Sequence, residues 1–218
     1  MPAVTVTPDH KRLHDEENAD LSAYLHGLTD ADWEQPSLCE GWRVRDVVGH
    51  VLYGNELKLW TLPFRLARHG FSSDRSGAVY SRARAEGRSP AELVEAFDRR
   101  DPWAGTCRIF PPRLVLLDRL VHHQDIRRAL GHERRVPEER LVAVLDTSPT
   151  LGSVFRAKGR TRGLRLLATD VDWRWGDGLE VSGPGEALLM TMLGRGQPLG
   201  ELEGDGLPVF KDRVCATA

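Results

Sequence analysis

Asp118 and His122 stand four positions apart in the stretch from Leu114 to Leu130. On a helix that spacing puts a carboxylate and an imidazole on one face, one turn apart. Side chains so placed can ligate one divalent metal ion. Asp125, three positions beyond His122, continues the face. It would serve as a further ligand or would orient an imidazole from behind. His123 points about 100° away around a helix of 3.6 residues per turn and is the weaker candidate. His50 lies in a separate segment between Val47 and Val51, so it is expected to face inward. An inward histidine from one helix can complete a three-ligand set with two groups from a facing helix. Three protein ligands leave a position for water or substrate, the usual arrangement of a catalytic zinc, whereas a structural ion would draw a fourth ligand from Asp125 or His123. Spacing alone also fits the commoner outcomes, a hydrogen-bonded core histidine and a solvated Asp–His pair.

Other reactive side chains have simpler structural roles. Cys39 reads as a small packing residue before Gly41-Trp42, since no base stands beside it in sequence. Trp42 reads as core. Arg82 and Arg84 could hold a carboxylate, but a solvated surface is the simpler reading. Arg195, in Gly-Arg-Gly, reads as a structural ion pair, and Asp170 and Asp172 as turn residues.

Helices must position these groups. Thr7-Pro8-Asp9 opens a first helix with a cap, a proline at the first turn and an acid at the positive end. Leu13, Leu21, Leu25 and Leu28 give it an apolar side, and it is predicted to end near residues 27–30. A second helix runs from about Trp42 to Trp60, with Val44, Val47, Val48, Val51, Leu52 and Leu59 on one face. Gly49 and Gly54 within it cost roughly 1 kcal/mol each against alanine and point to close packing or a bend. Residues 61–88 give no clear pattern. Ser89-Pro90-Ala91-Glu92 starts a helix that runs to about Arg100, and Pro111-Pro112 leads into the helix that carries Asp118 and His122, stopped by Gly131.

The pattern changes near residues 132–138. A helix from Val136 is followed by strand-like runs at 163–169, 172–175 and 179–181, with Gly176-Asp177-Gly178 as a hairpin turn between the last two. A helix over 184–194 and a last strand over 199–202 complete the chain. The expected organisation is α+β: a helical bundle over 1–134, then a small α/β domain over 135–218.

Composition narrows the function classes. The 218 residues carry a formal net charge of −2, with 40% hydrophobic and 28% charged residues. That balance suits a globular protein and gives no reason to expect nucleic acid as a partner. Cys39, Cys107 and Cys215 are widely spaced, which supports neither a disulfide framework nor a zinc ribbon. No run approaches the roughly 18 apolar residues of a membrane span, and Met1 to Pro8 lack a signal pattern. The cytoplasm is the expected compartment, with no membrane partner.

Two segments resemble a known family. Pro36-Ser-Leu-Cys-Glu-Gly-Trp-Arg-Val-Arg-Asp-Val-Val-Gly-His50 is similar to the motif leading to the first metal histidine of the mycothiol-dependent maleylpyruvate isomerase family, a branch of the DinB-like four-helix metalloproteins. Asp118-Arg-Leu-Val-His-His-Gln-Asp-Ile-Arg-Arg-Ala-Leu-Gly131 resembles the second motif. Ala168-Thr-Asp, Trp173, Val181-Ser-Gly183 and Leu193-Gly-Arg195 are similar to the family's C-terminal domain. The resemblance implies a DinB-like four-helix bundle with a small α/β domain, and His50, Asp118 and His122 as ligands of a divalent metal, zinc. It further implies mycothiol as cosubstrate and isomerase or S-transferase activity on a small electrophile, in a monomer or homodimer. The family more often has glutamate at the position of Asp118, and Arg43 stands where a capping Ser or Thr is common. These departures leave a second reading open, a non-catalytic metal-binding or regulatory module on the same fold.

Overall fold

The computed structural model describes residues 8–152 and 155–216. Thr7 lies outside them. The first helix, α1 (His10–His26), is capped by Asp9 instead, whose Oδ1 accepts from the backbone N–H groups of Lys11 and Arg12. The chain divides into two compact units, one of residues 14–134 and one of residues 1–13 with 135–218.

In the unit of residues 14–134, α1 is followed by α2 (Asp30–Glu34), α3 (Val44–Glu56), α4 (Leu62–Arg68), α5 (Ser73–Ala85), α6 (Pro90–Arg99) and α7 (Pro112–Ala129). Five of these share one hydrophobic core. Leu21 and Leu25 of α1, Val44, Val47, Val48, Val51 and Leu52 of α3, Leu93, Val94 and Phe97 of α6, and Ile126 of α7 pack together, with Trp33 of α2 closing one end. The apolar positions recur at helical spacing on each helix, so burying one stripe per helix produces the bundle. The Ser89 capping box forms as the sequence indicates: its hydroxyl accepts from the Glu92 N–H, and the Glu92 carboxylate accepts from the Ser89 N–H at 2.7 Å. Gly131, at φ 69°, ends α7.

The unclear region 61–88 resolves into α4 and α5, and α3 stops at Glu56 rather than near Trp60. Gly49 explains the packing of α5 on α3. A Cβ at Gly49 would lie 2.3 Å from the Ser81 carbonyl oxygen and 3.1 Å from the Ala85 Cβ. Only glycine lets the two backbones meet at this point, so the close packing expected of Gly49 is real.

In the other unit, α8 (Glu138–Thr147) and α9 (Ala157–Thr161) precede β1 (Leu164–Ala168), β2 (Arg174–Trp175) and β3 (Leu179–Gly183); α10 (Gly185–Met192) and α11 (Leu207–Cys215) follow. The sheet order is β2-β1-β3. β1 pairs antiparallel with β2 and parallel with β3. Gly176-Asp177-Gly178 therefore closes no hairpin. It carries the chain past the start of β1, where Cβ atoms at 176 and 178 would lie 2.4 and 2.2 Å from the carbonyl oxygens of Leu164 and Gly163. The expected strand over 199–202 is a turn of 3₁₀ helix, Gln197–Glu201, begun by Pro198, and only Glu203 bridges to Ser182. Helix α11 had no counterpart in the sequence reading. Asp170 sits in a turn, as expected, and its Oδ1 accepts from the Gly185 N–H at the start of α10. Among the described residues no helix is long and apolar enough to cross a membrane.

Candidate metal centre

His50 on α3 and Asp118 and His122 on α7 converge. Their ligand-type atoms all lie within 4.8 Å of one another. The Asp118 Oδ1 is 3.5 Å from the His122 Nε2 and 3.7 Å from the His50 Nε2. The two imidazoles meet edge to face with centroids 4.9 Å apart. Ligands about 2.1 Å from a tetrahedral zinc stand about 3.4 Å from one another, so these separations suit one shared ion. The donor types fit as well: two imidazole nitrogens and one carboxylate oxygen, with no fourth protein ligand in this group among the described residues.

Each imidazole is held from behind. The His122 Nδ1–H donates to the Asp125 Oδ2 at 3.0 Å, which leaves Nε2 turned to Asp118. Asp125 is fully buried behind His122, and with Cys39 and His122 it forms a second group whose ligand-type atoms lie within 4.8 Å of one another. The His50 Nδ1 lies 3.4 Å from the Ser81 Oγ. Ser81 is a contributor that sequence reasoning missed. The signal was Gly49, whose missing side chain brings α5 within reach of its neighbour His50.

Cys39 also takes a role that spacing could not show. Its thiol donates to the Asp125 Oδ2 at 3.0 Å and lies 3.8 Å from the His122 Nδ1. The base absent beside it in sequence comes from α7, and the Leu38 N–H donates to the Asp125 carbonyl at 3.1 Å, seating the 36–43 loop on that helix. Asp46 takes over the capping that Arg43 cannot supply. Its Oδ2 accepts from the Arg43 N–H at 2.9 Å while the Arg43 guanidinium pairs with it. Trp42 is partly buried rather than core, its ring 5.4 Å from that of His50.

The remaining candidates are structural. Arg82 donates to the Gly41 carbonyl and Arg84 pairs with Glu56. Arg195 donates to the Leu193 carbonyl at 2.9 Å. His123 faces the opposite side of α7, against Glu17 at 2.8 Å.

The electrostatics are those of a centre waiting for a cation. Burial alone would raise the Asp118 carboxyl, but His122 and then His50 outweigh it and hold the group well below the usual carboxylate range. Burial alone would lower His122, yet Asp118 foremost, then Asp125 and Cys39, hold it well above an ordinary imidazole. A proton on His122 thus occupies the place of the ion, and metal binding must displace it. Asp118 keeps 38% of its side-chain surface open and His50 30%, which leaves a solvent-facing side to the cluster.

Residues 14–105 match the family model described as mycothiol maleylpyruvate isomerase N-terminal domain. Two solved structures share the fold: a mycothiol-dependent maleylpyruvate isomerase, 18% identical with a TM-score of 0.53, and a histidine-to-alanine mutant of a mycothiol-dependent maleylpyruvate isomerase, 18% identical with a TM-score of 0.55. Each comparison covers 91% of this chain and 93% of the other. None of the curated proteins matches the chain. The resemblance read from the sequence is borne out over residues 14–105, which hold the first motif, and the two structures bear out the α+β fold of a helical bundle with a small α/β part.

Proposed function

Starting from a chain whose residues 14–105 match the mycothiol maleylpyruvate isomerase N-terminal domain, we propose that it is a metal-dependent enzyme that uses a small thiol, of the mycothiol type, to isomerise a small electrophile or to add the thiol's sulfur to it. The observation that carries this reading is the convergence of the His50 and His122 Nε2 atoms with the Asp118 carboxylate. These three side chains would hold the ion, zinc by donor type. A divalent ion there supplies Lewis acidity that turns a thiol into a thiolate at neutral pH. The protein's own groups do the rest. Asp125 and Ser81 fix the imidazole orientations, Cys39 braces Asp125, and the open side of Asp118 and His50 admits the reactants.

In the isomerase form of the reaction, the thiolate sulfur adds to one carbon of a conjugated double bond. The resulting single bond rotates, and the sulfur leaves with its electron pair as the double bond re-forms. In the transferase form the adduct takes up a proton and is released. The rival reading, a non-catalytic module, rests on Asp118 standing where glutamate is more usual in the family.

The test is metal analysis of protein purified without an affinity tag, followed by thiol-dependent turnover of a maleyl-type electrophile. Near one equivalent of divalent metal and turnover that falls at least a hundredfold in His50→Ala are expected. Metal without turnover would establish the non-catalytic reading, and protein with neither would end both.

A further inference from the structure

The interior of the bundle carries positive charge that its described side chains do not neutralise. Arg119 follows Asp118 on α7 but is rotated about 100° from the metal face. It is 1% exposed, and its Nε and Nη1 have no hydrogen-bond partner among the described residues. Arg100, at the end of α6, lies beside it. The Arg100 and Arg119 guanidiniums sit 3.4 and 5.7 Å from the centroid of one ring, that of Phe97. Arg100 donates only to neutral acceptors: the Asn55 Oδ1 at 2.9 Å, the Phe97 carbonyl and the Asn18 Oδ1. Neither arginine makes an ion pair with a described residue. His14 of α1 is fully buried against the Trp103 ring, with centroids 4.6 Å apart. Its Nδ1 contacts Asp15, and its Nε2 has no partner among the described residues.

The acids nearby are committed elsewhere. Glu17 holds His123 and Arg134, Asp118 holds the two metal-face histidines, and Asp15 accepts from the Trp103 Nε1–H at 2.8 Å. Cys107, which receives the Asn55 Nδ2–H at 3.4 Å, cannot act as the counter-charge, because burial pushes its thiol up and keeps it neutral. Asp118 and Glu17 act on Arg119 only at a distance, and a buried guanidinium with no ion pair and two N–H groups without an acceptor departs from the rule that interior charges are paired and hydrogen-bonded.

We propose that the bundle binds a small monovalent anion, of the size of chloride or formate, on the edge of Arg119 that carries its free Nε–H, with Arg100 and His14 completing its surroundings. The near-total burial of Arg119 and His14 sets the class. An occupant must shed its hydration, which a monoanion does at far lower cost than phosphate or sulfate. The site is separate from the metal centre and does not rest on the enzyme reading.

Thermal unfolding of the full chain at constant ionic strength, with chloride, formate or nitrate replacing the bulky gluconate ion, tests it. Stability linked to a bound anion rises with the logarithm of anion concentration, roughly 3–6 °C for each tenfold step above the Kd, and the shift disappears in Arg119→Met. Sulfate produces no such shift. Formate supporting the effect and chloride not would assign the site to a carboxylate group; the reverse would assign it to halide. Because Arg119→Met could fail to fold, crystals of the unaltered protein grown in bromide give a second readout. An anomalous peak within contact of Arg119 supports the site. A water alone at that position, or equal anion shifts in both proteins, overturns it.

Discussion

Two adjacent histidines on α7 face opposite fates. His123 is fully buried in a closed network. Its Nε2 accepts from the Arg127 Nε–H at 2.8 Å, so its Nδ1–H donates to the Glu17 Oε1 at 2.8 Å, and Arg134 grips both Glu17 oxygens at 2.7 Å. Burial pushes His123 down to about 4, leaving a neutral ring that completes an ion pair formed by others. His122, one residue away, gathers the same kinds of group without completing them. Its Nε2 and that of His50 approach one carboxylate oxygen at 3.5 and 3.7 Å, so both imidazoles and the acid turn toward one shared point. Both faces contain histidine and acid; the first is paired by a permanent cation, Arg134, and the second by the exchangeable proton on His122. Arg134 plays on the first face the role that a metal ion would play on the second. A functional cluster is therefore marked by convergence without closure, rather than by residue type.

Removing the built-in cation's partner should separate the two faces most sharply. Glu17→Ala leaves Arg134 and His123 without their buried acceptor and should destabilise the chain by about 3–5 kcal/mol, the usual consequence of breaking a buried pair. Metal content of the surviving folded protein should stay near that of the parent. Denaturant melts and metal analysis on the same sample check both halves. Loss of metal together with stability would mean that the faces are not independent.

Acid should weaken the closed face next. His123 and His14 are both pushed down to about 4 by burial when folded and titrate near 6.5 when unfolded. The unfolded chain therefore takes up the protons first, so stability is complete above pH 6.5 and falls as pH drops toward 4, by about 3 kcal/mol for each histidine at the limit. His122, shifted the other way, contributes in full below pH 6.5 and loses that share only as pH rises above it, so it is flat across this window. Glu17, held low chiefly by His123 and Arg134 against its burial, contributes its own loss only at still lower pH. Melts of metal-free protein between pH 7 and 4.5 should show the decline, and His123→Gln should about halve it, the rest belonging to His14. An unchanged slope in that variant would show that other groups carry it.

How much of this contrast the sequence contained follows from the range of each interaction. The four-residue step from Asp118 to His122 is local, and helical geometry converts it directly into a shared face. The inward turn of His50 follows from Val47 and Val51 in the same way. Gly49 announced a close approach but not the partner, because the identity of the residue opposite is a tertiary fact; Ser81 was invisible for that reason. Cys39 looked inert for want of a neighbouring base, and its base arrives from residue 125 when the 36–43 loop docks on α7. In the other unit, Gly176 and Gly178 were legible as backbone specialists. The sequence could not say whether they serve a hairpin or a crossing beneath β1, since both need glycine where a carbonyl approaches. His123 was rightly set aside by its angle, yet nothing local tied it to Glu17, 106 positions away.

On the open face, Asp125→Asn sharpens the distinction between holding an ion and orienting what holds it. The asparagine keeps the size but loses the charge that fixes the His122 tautomer and accepts from Cys39. Partners of this kind typically contribute 10–100-fold to metal affinity. Competition with a chromophoric chelator should record a loss in that range with full stoichiometry at saturation. A loss of stoichiometry itself would make Asp125 a ligand.

Ser81→Ala should have the smallest effect. Its hydroxyl lies 3.4 Å from the His50 Nδ1, at the long end of a hydrogen bond, and such contacts are worth about 0.5–1.5 kcal/mol. Zinc affinity should therefore fall roughly two- to tenfold. The backbone packing allowed by Gly49 stays intact, because the approach involves the Ser81 carbonyl rather than its side chain. Stability of the metal-free protein should barely move. If affinity is unchanged, His50 is positioned by packing against Trp42 and the His122 ring alone, and the open face owes less to α5 than its geometry indicates.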